Sequence, residues 1–111
     1  MSKLPILMYH NITADINKVN KLTVHKDSLE KQFKYLVKNC YKTHYLKDLE
    51  KITKLSGKNI IITFDDVTKN QLDYAIPLLK KYNLKATFFI PFAYIGKYDF
   101  WNNNDEPIMN L

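Results

Sequence analysis

The run Asn59 to Val67, Asn-Ile-Ile-Ile-Thr-Phe-Asp-Asp-Val, constrains this chain more than any other stretch. Three isoleucines, a threonine and a phenylalanine make a short apolar run rich in β-branched and aromatic side chains. Such a run reads as a buried central strand of a parallel sheet. It stops at two adjacent carboxylates, Asp65 and Asp66. The C-terminal end of a buried parallel strand is where α/β folds place their chemistry. Neighbours on a strand point to opposite sides, so one acid can hold a metal while the other handles a proton. Acids also end strands because they favour turns. On the pair alone, both readings stand.

Other chemistries that use an acid-tipped strand fit poorly. A nucleotide hydrolase needs a Gly-x-x-x-x-Gly-Lys-Ser/Thr phosphate loop, and the chain has only Gly57 and Gly96. An aspartyl-nucleophile phosphatase spaces its acids as Asp-x-Asp; here they are adjacent. Length allows one small domain or part of a larger one, since the chain has 111 residues. The 46% hydrophobic content is enough for a core and argues against disorder. All 17 basic residues are lysine, and there are 11 asparagines. That bias reflects base composition, so the formal charge of +6 is no argument for nucleic-acid binding. The lysines scatter along helix faces as a solvated surface does.

Cys40 is the only cysteine, so no intramolecular disulfide and no thiolate zinc motif can form. It falls on the apolar stripe of an expected helix and reads as buried filler. The apolar run at the N-terminus is too short for a signal peptide, and no run reaches transmembrane length. The expected compartment is the cytoplasm.

Strand and helix signals alternate along the chain. Leu4 to Met8 reads as a strand closed by Tyr9 and His10, and Asn11 to Leu22 as a polar loop. Leu29, Phe33, Leu36, Val37 and Cys40 recur at helical spacing, predicting a helix from about Asp27 to Asn39 capped by Asp27 or Ser28. Lys42 to His44 is a short strand, and Leu46, Leu49 and Ile52 mark a short helix. After the central strand, Asn59 to Phe64, a helix is expected from Asn70 to Tyr82. Ala75, Leu78 and Leu79 face inward there, with a kink or late start at Pro77. A turn at Asn83 leads to a strand from Ala86 to Ile90. The segment Phe100 to Leu111 is polar and aromatic. This is βαβ material with a parallel sheet. Leu4 to Met8, Asn59 to Phe64 and Ala86 to Ile90 should run parallel, with His10 and Asp65 at the same end.

Four features in order resemble a polysaccharide deacetylase domain of the NodB-homology, or carbohydrate esterase family 4, type. They are Leu7-Met8-Tyr9-His10, the segment Leu29 to Leu49, Thr63-Phe64-Asp65-Asp66, and Ala86-Thr87-Phe88-Phe89-Ile90 after a helix ending Pro-Leu-Leu-Lys-Lys-Tyr. Residues 1–111 resemble the N-terminal portion of that domain. The resemblance implies an α/β fold, a partial distorted (β/α) barrel truncated after the first few βα units. It implies metal-dependent N-deacetylation of an N-acetylated sugar or glycan, which is hydrolysis of a non-peptide carbon–nitrogen bond. Asp65 would be the general base and Asp66 a ligand of a divalent metal, zinc being expected in the complete domain. His10 is placed at the active-site rim. Trp101 is a secondary candidate for a substrate contact, beside Tyr94 and Phe100; packing of a surface loop accounts for these rings better than stacking on sugars.

The chain departs from the family at three places. Val67 stands where the family has a glycine, and Cys40-Tyr41 replaces Gly-Tyr. The family's His-Ser/Thr-x-x-His motif, which supplies two metal ligands, does not occur in the 111 residues. The chain therefore reads as a fragment, and its own metal binding as incomplete. The alternative to a deacetylase is a non-catalytic remnant or a partner-dependent fragment. The expected partner is an N-acetylated carbohydrate, with association through unpaired sheet edges and with no nucleic acid and no membrane span. His25 and His44 read as structural.

Overall fold

The structure is a computed structural model and describes residues 4–52 and 54–90. Its centre is β5, Asn59–Phe64, all six residues of which are buried. A strand covered on both faces can be apolar throughout, which is what its composition requires. β1, Ile6–Tyr9, pairs along one edge, from Ile6 opposite Ile61 to Tyr9 opposite Phe64. The other edge is shared. β4, Lys42–His44, pairs with its first half and β6, Thr87–Phe88, with its last two residues. All these pairings are parallel, as the alternation of elements predicts.

α1, Lys26–Lys38, buries Leu29, Phe33 and Leu36 against the sheet. Its cap is His25, not Asp27 or Ser28: the His25 ring accepts a hydrogen bond from the Asp27 N–H at 3.1 Å. The helix also ends earlier than expected. Asn39 is its C-cap, and Cys40 lies beyond it with φ 60°. The Cys40 N–H bonds the Val37 carbonyl and the Tyr41 N–H bonds the Leu36 carbonyl. This double bond pattern closes a helix through a left-handed residue. Cys40 is therefore exposed, which corrects its reading as buried filler. Val37 is exposed as well.

A 3₁₀ turn, Leu46–Asp48, leads into α2, Leu49–Ile52. The helix after β5 starts late, in the way Pro77 requires. A wide π turn, Gln71–Ala75, comes first, and the Ile76 N–H reaches back to the Gln71 carbonyl. α3, Ile76–Lys81, then carries Pro77 in its first turn, where the missing N–H costs nothing. α3 closes on Asn83, φ 53°, with the same bond pattern as α1.

The expected loop from Asn11 to Leu22 is only partly a loop. β2, Asn11–Thr13, and β3, Thr23–His25, form a second parallel pair, with a 3₁₀ turn, Ile16–Lys18, between them. Ile12 is fully buried in the core. The segment reads as loop in sequence because its strands are three residues long and their bonds come from distant residues.

α1, the π turn and α3 pack on one face of the sheet. Ile60, Ile62 and Phe64 meet Leu29, Phe33, Ala75 and Leu79 there. Tyr9, Phe64 and Phe88 stack across three strands, with centroids 5.2 and 5.0 Å apart. Burial pushes the Tyr9 phenol up to about 12, and its hydroxyl donates to Gln32 Oε1. Ile6 and Met8 alternate with the core-facing Leu7 and Tyr9 and are 46% and 68% exposed.

Candidate active site

The site lies where β1 and β5 end side by side. The Asp65 N–H extends their ladder by one bond, to the Tyr9 carbonyl at 2.8 Å. His10 therefore leaves β1 level with Asp65, so two residues far apart in sequence emerge together. His10 Nε2 is 3.6 Å from Asp65 Oδ2 and 3.9 Å from Asp66 Oδ2. All three side chains are about a quarter exposed, at 29%, 23% and 25% respectively. They are accessible to a solute and partly screened from water.

The acids sit on a strained turn. Asp66 has φ 72° and Val67 φ 42°. A left-handed residue bearing a Cβ costs roughly 1–2 kcal/mol, least for Asp and Asn and most for a β-branched residue. Val67 stands at the position of the family's glycine and takes the left-handed backbone anyway. Its side chain is buried, and that burial offsets the strain. The turn thus keeps the conformation a glycine would permit, and Asp66 stays beside Asp65.

A buried polar network lies behind the turn. Asn70 Oδ1 accepts from the Ile12 N–H at 3.1 Å and from Thr68 Oγ1 at 2.7 Å. Asn70 Nδ2 donates to Asn11 Oδ1 at 3.3 Å. Asn11, Thr68 and Asn70 are all buried. Reading the sequence missed them, because isolated polar residues near a helix start look like caps and turns.

The structure thus brings His10, Asp65 and Asp66 together. His25 and His44 stand apart, as expected: His25 caps α1, and His44 Nε2 lies 2.9 Å from Asn59 Oδ1. Trp101, Tyr94 and Phe100 lie outside the described residues. Among the described residues no three of His, Cys, Asp and Glu converge as a metal-ligand set. One carboxylate with a nearby imidazole suits a divalent cation, but a catalytic zinc takes three protein ligands, so the set here is incomplete. A cavity of about 770 Å³ beside β2 and β3 is lined by Asn11, Asp15, Asn20, Asn70 and Tyr74, and none of the three site residues lines it.

Known proteins bear on this geometry. The sequence profile of the polysaccharide deacetylase family matches residues 52–107, half of the chain and inclusive of both acids. YxkH of Bacillus subtilis is 42% identical over 100 residues, covering 86% of this chain and 33% of that protein. The poly-β-1,6-N-acetyl-D-glucosamine N-deacetylase of Staphylococcus aureus is 31% identical over 87 residues, covering 76% of this chain and 30% of that protein. Among solved structures, the Streptococcus pyogenes deacetylase PplD in complex with acetate superposes with TM-score 0.72 at 29% identity, over 80% of this chain and 42% of that one. The chain spans about a third of the length of these curated relatives.

Proposed function

Because this chain belongs to the polysaccharide deacetylase family, and its parallel α/β architecture is that of part of such a domain, we propose that it carries the base and one metal ligand of an N-deacetylase. The substrate class is an N-acetylated sugar polymer. The name of the S. aureus relative, a poly-β-1,6-N-acetyl-D-glucosamine N-deacetylase, supports that class. The observation that carries the reading is the pair of acids at the end of a buried parallel strand, with an imidazole within 4 Å of both.

In this proposal Asp65 is the general base. Its carboxylate takes a proton from water as the water oxygen attacks the acetamide carbonyl. The C–N bond then breaks, the amine takes up a proton, and acetate and the free amino sugar leave. Asp66 is a ligand of a divalent cation, zinc by the family's pattern, with further ligands from outside the described residues. Such a cation, when bound, lowers the pKa of water toward about 7 and polarises the carbonyl. His10, within 4 Å of both acids, would orient them or exchange a proton with them. Trp101 belongs to the proposal as a sugar-stacking contact on sequence grounds.

The test is acetate release from N-acetylglucosamine oligomers by a form that joins residues 1–111 to the family's histidine motif. Zinc-dependent release, abolished by Asp65→Asn, is the expected result. Release untouched by that substitution rejects the base assignment. No release from a folded, zinc-loaded form identifies the chain as a non-catalytic remnant.

A further inference from the structure

We propose that Gln71 is the positioning residue of this site, the group that sets the separation of His10 from the acids. The proposal rests on the reading of His10, Asp65 and Asp66 as the active centre. The main-chain ladder between β1 and β5 runs as far as the bond from the Asp65 N–H to the Tyr9 carbonyl. One step further, the carbonyls of His10 and Asp65 both take their hydrogen bond from the same atom. Gln71 Nε2 donates to the His10 carbonyl at 2.6 Å and to the Asp65 carbonyl at 2.7 Å. A single carboxamide nitrogen thus uses both its hydrogens to tie two strand ends together. The two residues it ties carry the imidazole and the base.

Three further facts separate this clasp from ordinary core filling. Gln71 is completely buried, and polar residues of that size are rarely placed so deep. Its Oε1 has no hydrogen-bond partner among the described residues. A methionine of similar shape would leave no such orphan. A buried acceptor left unpaired in a native fold calls for a reason, and the two bonds made by the other end of the amide supply one. Lastly, Gln71 opens the π turn that precedes α3. Such wide turns redirect side chains and recur at functional sites.

The preceding residue completes the arrangement. Asn70 holds the Ile12 N–H and the Asn11 side chain. The segment bearing His10 is therefore fixed at His10 by Gln71 and just after it by Asn70. Gln71 also reaches Asp65, just past the end of β5. Without it, the His10 and Asp65 carbonyls lose their shared donor, the Asp65–Tyr9 bond is left as the last main-chain tie, and the 3.6 Å approach of imidazole to carboxylate is held less firmly.

The experiment uses the 111-residue chain as wild type, Gln71→Met, Gln71→Asn, Asp66→Asn and Leu79→Ala. The last removes core volume from α3, away from the site. In labelled wild-type protein, cross-hydrogen-bond couplings should run from the Gln71 side-chain nitrogen to the carbonyl carbons of His10 and Asp65. In Gln71→Met, amide resonances should shift most at His10, Asp65 and Asp66, and in Leu79→Ala they should not. Zinc alone is the second probe, followed at the Asp66 resonances. Its affinity should fall about tenfold or more in Gln71→Met, the usual effect of removing a group that orients a ligand, while Leu79→Ala stays near wild type. Gln71→Asn, which keeps the amide but reaches less far, should fall between. Missing couplings, or Gln71→Met resonances and affinity like wild type, overturn the proposal. If Gln71→Met does not fold, the couplings and the asparagine variant decide it. Absence of zinc binding by wild type counts against the metal role of Asp66 instead, and the couplings still decide on Gln71.

Discussion

Cys40, Asp66, Val67 and Asn83 all have positive φ, at 60°, 72°, 42° and 53°, and the environment decides what each one costs. Cys40 is exposed, so its side chain contributes little to set against roughly 1 kcal/mol of left-handed strain. After glycine's extra chain entropy of about 0.5–1 kcal/mol is set against that strain, Cys40→Gly should stabilise the chain by about 0.5 kcal/mol or less, read as a slightly higher urea midpoint at unchanged slope. Val67 has the same backbone problem and a buried side chain. Losing that burial costs about 1.5 kcal/mol, and glycine's extra chain entropy adds about 0.5–1. Together these slightly exceed the strain relieved, about 2 kcal/mol for a β-branched residue, so Val67→Gly should destabilise by about 0.5 kcal/mol or less although glycine is the family's residue. A stabilised Val67→Gly would mean that its side chain contributes less than its burial implies. The acids divide in the same residue-by-residue way. In a form that turns over, Asp65→Asn should remove activity with little loss of metal, and Asp66→Asn should weaken metal binding by about 10-fold or more. Equal metal loss in both variants would show that the roles are not separate.

Between elements, one tie joins α1 to α3. Glu30 Oε2 accepts from Lys81 Nζ at 2.9 Å and from Tyr82 Oη at 2.6 Å. The hydrogen bond from Lys81, then that from Tyr82, holds the Glu30 carboxyl down from 4.5 to about 2. A carboxyl whose value is lowered by folding stabilises the fold fully above its unfolded value. That contribution fades as pH falls from about 4.5 toward 2. Glu30→Gln should therefore be less stable than wild type at neutral pH and should converge with it in that acid window, followed by thermal unfolding against pH. A constant difference across the window would show that Glu30 contributes through packing rather than charge. The π turn before α3 is the other decision made between elements. Pro77 predicts a late start, but not that the widened turn would aim Gln71 between two strand ends.

At the scale of the whole molecule, α1 and α3 pack on one face of the sheet, and Ile6 and Met8 lie on the other, at its β1 edge. Met8 is 68% exposed. Apolar surface left open beside a strand edge favours pairing with a second copy. Concentration-dependent association of the 111-residue chain is expected in sedimentation. Met8→Lys should reduce it at a stability cost of about 0.5 kcal/mol or less, because the residue is already in water. The same scale governs metal binding. If Asp66 is the one ligand this chain supplies, as proposed, residues 1–111 should bind zinc weakly and gain affinity when the family's histidine motif is supplied. Tight zinc binding by the isolated chain, lost on Asp66→Asn, would show that it completes a site from its own residues.

The sequence by itself determined the elements whose signal is local. The β-branched run of β5, the stripe Leu29, Phe33 and Leu36, the proline that delays α3 and the acids that end β5 each follow from residues a few positions apart, and the structure keeps them. Cys40 was misread because a helical stripe does not say where its helix stops; the bonds to the Val37 and Leu36 carbonyls do. Tertiary structure alone decided the rest. β2 pairs with β3 and is held from its other side by the Asn70 side chain, 58 residues from Ile12 in sequence. His10 reaches Asp65 only because β1 and β5 pair in one register, and Gln71 clasps a carbonyl 61 residues away. No local pattern carries such bonds, since their partners meet only after the sheet has formed. The identities of the acids were legible in the sequence, whereas the 3.6 Å between imidazole and carboxylate is a property of the fold.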